Sequence, residues 1–152
     1  EVDVVYGHRV LVDEYDQEIG RWVMPPHDND VLSWADYIPQ ETMFWRREIW
    51  DKAGGFIDKN FKFAMDWDLI LRFREAGASI VCLPRFLGAF RVHPHQKTSA
   101  EISDQGTKEM QHLRERCLGR LVSEAEINQN IKKYLARHVF YQKLYRAGLL
   151  TY

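Results

Sequence analysis

The chain has 152 residues and 18.0 kDa, with 45% hydrophobic and 28% charged side chains and a net charge of −1. That length fits one domain with a sizeable core, and an aromatic content of 13% excludes a disordered chain. No run approaches the roughly eighteen apolar residues that a membrane span needs. Cys82 and Cys117 are too few for a disulfide framework or a zinc cluster, which points to a reducing, cytoplasmic setting. The opening Glu1-Val2-Asp3 has neither the basic nor the apolar part of a secretory leader. Charge is unevenly spread. Residues 106–152 hold nine Lys and Arg against four Asp and Glu, net +5, whereas residues 1–105 hold 12 against 18, net −6. The two halves are therefore expected to face different partners or each other.

In chain order, Val2–Tyr6 and Arg9–Val12 read as β-branched strands separated around Gly7. Asp13–Gly20 is turn-like, and Arg21–Val23 reads as a short returning strand. Met24–Asn29 holds two prolines and cannot be helix interior. Asp30 is expected to cap a short helix through Tyr37, and Arg46–Ala53 a helix stopped by Gly54-Gly55. Asp66–Ala76 is the clearest helix of the first half, with Asp66 as its cap, Asp68 in its first turn and Gly77 as its stop. Ser79–Leu83 reads as a buried strand ended by Pro84, and Phe86–Val92 as another, ended by His93-Pro94. Strands alternating with a helix predict an α/β layer.

After Ser99 the pattern turns helical. Met110, Leu113, Cys117 and Leu121 fall on one face, and Ser123–Glu126 fits a capping box. Ile127, Ile131, Tyr134, Leu135, His138 and Tyr145 continue a stripe towards Gly148.

Taken alone, Asp66 reads first as a helix cap, and His93-Pro94-His95 as ordinary histidines. The order of the pieces says more. Tyr6-Gly7, Ile38–Arg47, Gly54-Gly55-Phe56, Ala64–Arg72 and Phe90–Pro94 running on to Lys97–Ser99 form a series over residues 3–99. That series resembles the second half of family 2 glycosyltransferases, enzymes of the GT-A fold. The fold so implied is α/β, the C-terminal portion of a Rossmann-like GT-A domain: a mixed sheet with flanking helices over residues 1–99, then a helical extension over 100–152.

The resemblance also implies roles. Asp66, six positions before Arg72, becomes the base that takes the proton of an acceptor hydroxyl, with Asp68 as the alternative base or an acceptor-binding group. His93 of the Arg-x-His pattern becomes a ligand of Mg²⁺ or Mn²⁺. Gln40, Trp45, Arg46, Gly54, Gly55, Arg72, Arg91 and Lys97 become substrate-binding. Two positions depart from many relatives: Met65 stands where an acid precedes the base, and His8 where an Asp follows Tyr-Gly.

An inverting transfer displaces the nucleotide at the anomeric carbon, so the hydroxyl needs a base on the far face, while a divalent cation neutralises the leaving diphosphate. Relatives carry a nucleotide-binding half and an Asp-x-Asp motif upstream. Asp28-Asn29-Asp30 has those letters but lies in a Pro-rich loop. The expectation is therefore the C-terminal part of a longer, metal-dependent enzyme, acting in bacterial surface polysaccharide synthesis on a nucleotide-sugar donor and a saccharide or lipid-linked acceptor. By itself this part would not transfer sugar. An uncovered sheet edge would drive its self-association. The basic tail suits peripheral contact with the inner face of a membrane. The alternative is a non-catalytic interaction module; nucleic acid is not an expected partner, since the first half is acidic and carries no recognition motif.

Overall fold

The computed structural model describes residues 1–93 and 104–152. Its centre is a nine-residue strand, β1 (Val4–Val12), in which Val4, Tyr6 and His8 are buried. β2 (Glu18–Trp22) pairs antiparallel with the second half of β1, and the two-residue β3 (Phe44–Trp45) pairs antiparallel with its first half. On the other side β4 (Ile80–Arg91) runs parallel to β1 along its whole length. The sheet is mixed and the protein is α/β.

Three expectations are corrected here. Gly7 does not divide β1, and Pro84 does not end β4. Between the pairs Tyr6↔Cys82 and His8↔Phe86, β1 spends one residue and β4 three. That bulge absorbs Pro84, which has no N–H to give the ladder. The Gly7 N–H turns instead to Thr42 Oγ1, 3.2 Å away, and a Cβ at Gly7 would lie 2.5 Å from the Arg85 carbonyl oxygen. β2 also begins earlier than expected, because the Asp13 carboxylate takes the N–H groups of Tyr15 and Gln17 and closes the turn by residue 17.

The helices follow from local signals with small shifts. α1 (Asn29–Leu32) is capped by Asp28, not Asp30, and stops well short of Tyr37. A one-turn 3₁₀ helix, Gln40–Thr42, is pinned to β1 by the buried Thr42. α2 (Arg47–Lys52) ends in Gly54 and Gly55, whose φ angles of 104° and 71° suit glycine. α3 (Met65–Glu75) buries Trp67, Ile70, Leu71 and Phe73 completely, and the Trp67 indole N–H donates to the Leu32 carbonyl at 3.0 Å.

α4 (Asp104–Leu118) and α5 (Glu124–Arg146) make up the tail. Leu113 lies in the same core as Val4, Tyr6 and Trp67, and Met110 and Cys117 pack against that core. Leu121 leaves the stripe, because Gly119 (φ 69°) ends α4 first, and it is exposed. The capping box at the start of α5 is complete, with Glu126 N–H on Ser123 Oγ and Ser123 N–H on Glu126 Oε2. The opposite charges of the two halves meet: Arg116 reaches Asp68 and Glu75, and Arg137 reaches Asp28. Among the described residues no helix is long and apolar enough to cross a membrane.

Candidate functional site

Asp66 is not the cap of α3. The helix opens one residue earlier, with Ala64 as N-cap and no side chain on it. The loop before it is held from the tail, where the buried Glu109 carboxylate accepts the N–H groups of Lys62, Phe63 and Ala64 at 2.8–3.1 Å. Burial pushes the Glu109 carboxyl up, but the Gln105 amide and these three N–H groups hold it down, at about 2. Asp66 Oδ1 accepts from the Trp67 N–H at 2.8 Å, and the side chain lines a cavity of about 720 Å³.

That cavity lies between the sheet, the 3₁₀ helix, the start of α3 and the inner side of α5. Alternate residues of two parallel strands face it, Arg9 and Leu11 from β1, then Phe90 and Val92 at the end of β4. Trp22 and Tyr37 add flat walls, and Tyr134 and His138 close the tail side. Three carboxylates share the space: Asp36, Glu41 and Asp66. Lys62 and Arg9 are the cations lining it, and Arg9 is the one set among aromatic rings. Its guanidinium lies 4.2 Å from the Trp22 ring centre and 5.0 Å from that of Phe90, and Nη1 is 3.3 Å from Glu41 Oε1.

Among the described residues neither Asp36 nor Asp66 has an ion-pair partner, and both are shifted. Burial raises the Asp66 carboxyl, helped by the Glu41 charge and opposed by backbone N–H groups. Asp36 is raised well above the ordinary range, first by the protein around it and then by Asp66, with Arg9 opposing. Asp36 is exposed, so water screens both effects and only the upward direction holds. Across the cavity His138 is lowered, first by burial and then by Arg9, and its ring stacks on Trp22 with centres 5.3 Å apart.

Of the residues singled out from sequence, Asp66 and Gln40 line this cavity. His93, expected as the metal ligand, is not among the residues lining it, although its neighbour Val92 is. The others lie elsewhere. Asp68, 1% exposed, accepts from Arg72 Nε at 2.9 Å and Arg116 Nη1 at 2.6 Å, joining α3 to α4. Arg72 also donates to the Ala53 and Phe56 carbonyls, so it fastens the Gly54-Gly55 turn to α3. Trp45 stacks on Trp50 in a separate shallow depression with Arg47. Arg46 is held by the Val2 carbonyl and Glu1, and Arg91 by Asp13 and Asp16. Lys97 lies outside the described residues.

Sequence reading missed Arg9, Asp36, Glu41 and His138. The period-two pattern of Arg9 and Leu11 was available as a signal; Asp36, alone in a loop, offered none. Among the described residues no group of three or more His, Cys, Asp or Glu side chains is placed to hold a metal ion. No protein-family model and no curated protein matches the chain.

Proposed function

We propose that this chain forms the acceptor side of the active site of an inverting glycosyltransferase of the family 2, GT-A type, with Asp66 as the base. One observation carries the reading. The acid expected to be the base does not cap its helix and instead opens into a cavity of about 720 Å³, beside a second carboxylate and with a raised proton affinity. A carboxylate raised towards neutrality is a stronger base where it is still ionised.

In the proposed reaction the acceptor oxygen forms its bond to the anomeric carbon as the carbon–oxygen bond to the leaving diphosphate breaks on the opposite face. The hydroxyl proton passes to Asp66. Tyr37 and Leu135 offer apolar surface to a pyranose ring, and Gln40 and Glu41 offer hydrogen-bond partners to its hydroxyls. No step is routed through a divalent cation.

The test is Asp66→Asn in the complete enzyme. Losing a general base lowers transfer by about 10²–10⁴-fold, while the melting temperature stays at or above that of the parent. Unchanged turnover rejects the reading.

A further inference from the structure

We propose that the outer face of α5 is a docking surface for a bilayer with anionic headgroups. The inference rests on that face alone and is independent of the sugar-transfer reading.

α5 is 23 residues long, roughly 35 Å at 1.5 Å per residue. At 100° per residue, Ile131, Tyr134, His138 and Tyr145 fall on one side and turn inward, Tyr134 being 3% exposed. The remaining arc of roughly 140° faces outward and carries Val139 and Phe140, which are 53% and 57% exposed; Leu135, at its edge, lines the cavity. Lys132, Lys133, Lys143 and Arg146 occupy the same arc, all exposed and without an ion pair among the described residues. Residues 131–146 hold no Asp or Glu. The fifth cation, Arg137, is taken by Asp28 on the flank. The helix thus has two uses of apolar residues, one packed on the protein and one left to solvent between lysines.

A second copy of the chain fits this face poorly. Apolar and cationic side chains alternate along it, so no dry seam exists, and two such faces brought together would oppose their lysines. An interfacial membrane layer takes both at once: the apolar side chains enter the acyl boundary while lysine stems lie along it and lift their charges to the headgroups. The sign of the face selects anionic lipid. Its inner side lines the cavity, so docking would set the cavity close to the membrane surface.

The experiment is cosedimentation of the chain with phosphatidylcholine vesicles, with and without a third of phosphatidylglycerol, at low and high salt. Partition onto the anionic vesicles alone, reversed by salt, is the expected result. Each of Lys132→Gln and Lys143→Gln lowers it about five-fold, the worth of one cation at such a surface. Val139→Ser with Phe140→Ser lowers it further at constant charge. These side chains lie outside the core, so circular dichroism should match the parent; where a variant does not fold, the parent's vesicle arms decide. Absence of binding to anionic vesicles overturns the proposal, and so does equal binding to neutral ones. A concentration-dependent dimer that Val139→Ser with Phe140→Ser abolishes assigns the face to a second copy and overturns it too.

Discussion

Asp68→Asn separates a structural acid from a catalytic one. The Asp68 carboxylate is 2% exposed and holds Arg72 Nε at 2.9 Å and Arg116 Nη1 at 2.6 Å, so one charge joins α3 to α4. Removing one partner from a buried ion pair costs about 3–5 kcal/mol, because the charge left behind is desolvated without compensation. Here the lower end applies. Arg72 keeps the carbonyls of Ala53 and Phe56, and Arg116, 31% exposed, keeps water and Glu75 at 3.6 Å. An asparagine also retains one acceptor. The expected loss is about 3 kcal/mol, which for a domain of this size lowers the melting temperature by roughly 6–12 °C.

Thermal and urea unfolding read this directly. A cycle with Arg116→Gln should be non-additive by about 1–2 kcal/mol, since the residues share one contact. A variant that melts with the parent yet loses binding of a saccharide would refute the argument, because it would place Asp68 against a ligand.

Glu41→Gln removes the charge that disfavours ionisation of Asp66, so the Asp66 carboxyl should titrate at lower pH in carbon-detected NMR. A carboxyl raised by folding stabilises the native state below its unfolded pKa and loses that contribution as pH rises through its folded value. Asp36→Asn should therefore be more stable than the parent at neutral pH and equal to it in acid. Glu109→Gln has the opposite sign: with the carboxyl held at about 2, its contribution is present above the ordinary glutamate range and lost as pH falls through 2. The variant should lose about 2 kcal/mol at neutral pH, read by urea unfolding, as expected for hydrogen bonds to a charge. Gly88→Ala would press a methyl group on the Glu41 carbonyl oxygen. Overpacking of this kind costs about 1–3 kcal/mol, and it should displace the 3₁₀ helix and weaken saccharide binding, measured by NMR titration.

Elements with a local cause were legible in the sequence. The Ser123–Glu126 box, the Gly54-Gly55 stop and the apolar face of α3 each need only neighbours in the chain, and each is present. Boundaries failed where a distant partner decided them. Gly7 and Pro84 each look like breaks alone, but together they form one bulge across a parallel pair, with Thr42 taking the spare N–H. Asp28 displaces Asp30 as a cap because its extended backbone lets the carboxylate reach the N–H groups of Asp30 and Val31. The cavity was legible only at Asp66 and Gln40, because its other walls come from β1, β4 and α5, and no spacing rule joins those segments.

The tail is what makes Asp66 available. A helix start leaves N–H groups without partners, and the cheapest remedy is an acid placed as cap. In this chain Glu109, far along in α4, satisfies the loop that leads into α3, and Asp68 spends its charge on Arg116 of the same helix. The third acid of the group is left with a single N–H and an opening to the cleft. The net positive charge of residues 106–152 is consistent with this division. It neutralises the acid that is structural, and α5, which lines the far wall, brings no side-chain cation into the cavity beside Asp66. Asp68 is thus held between Arg72 of its own helix and Arg116 of α4, while Asp66, two residues earlier, is left facing the cavity.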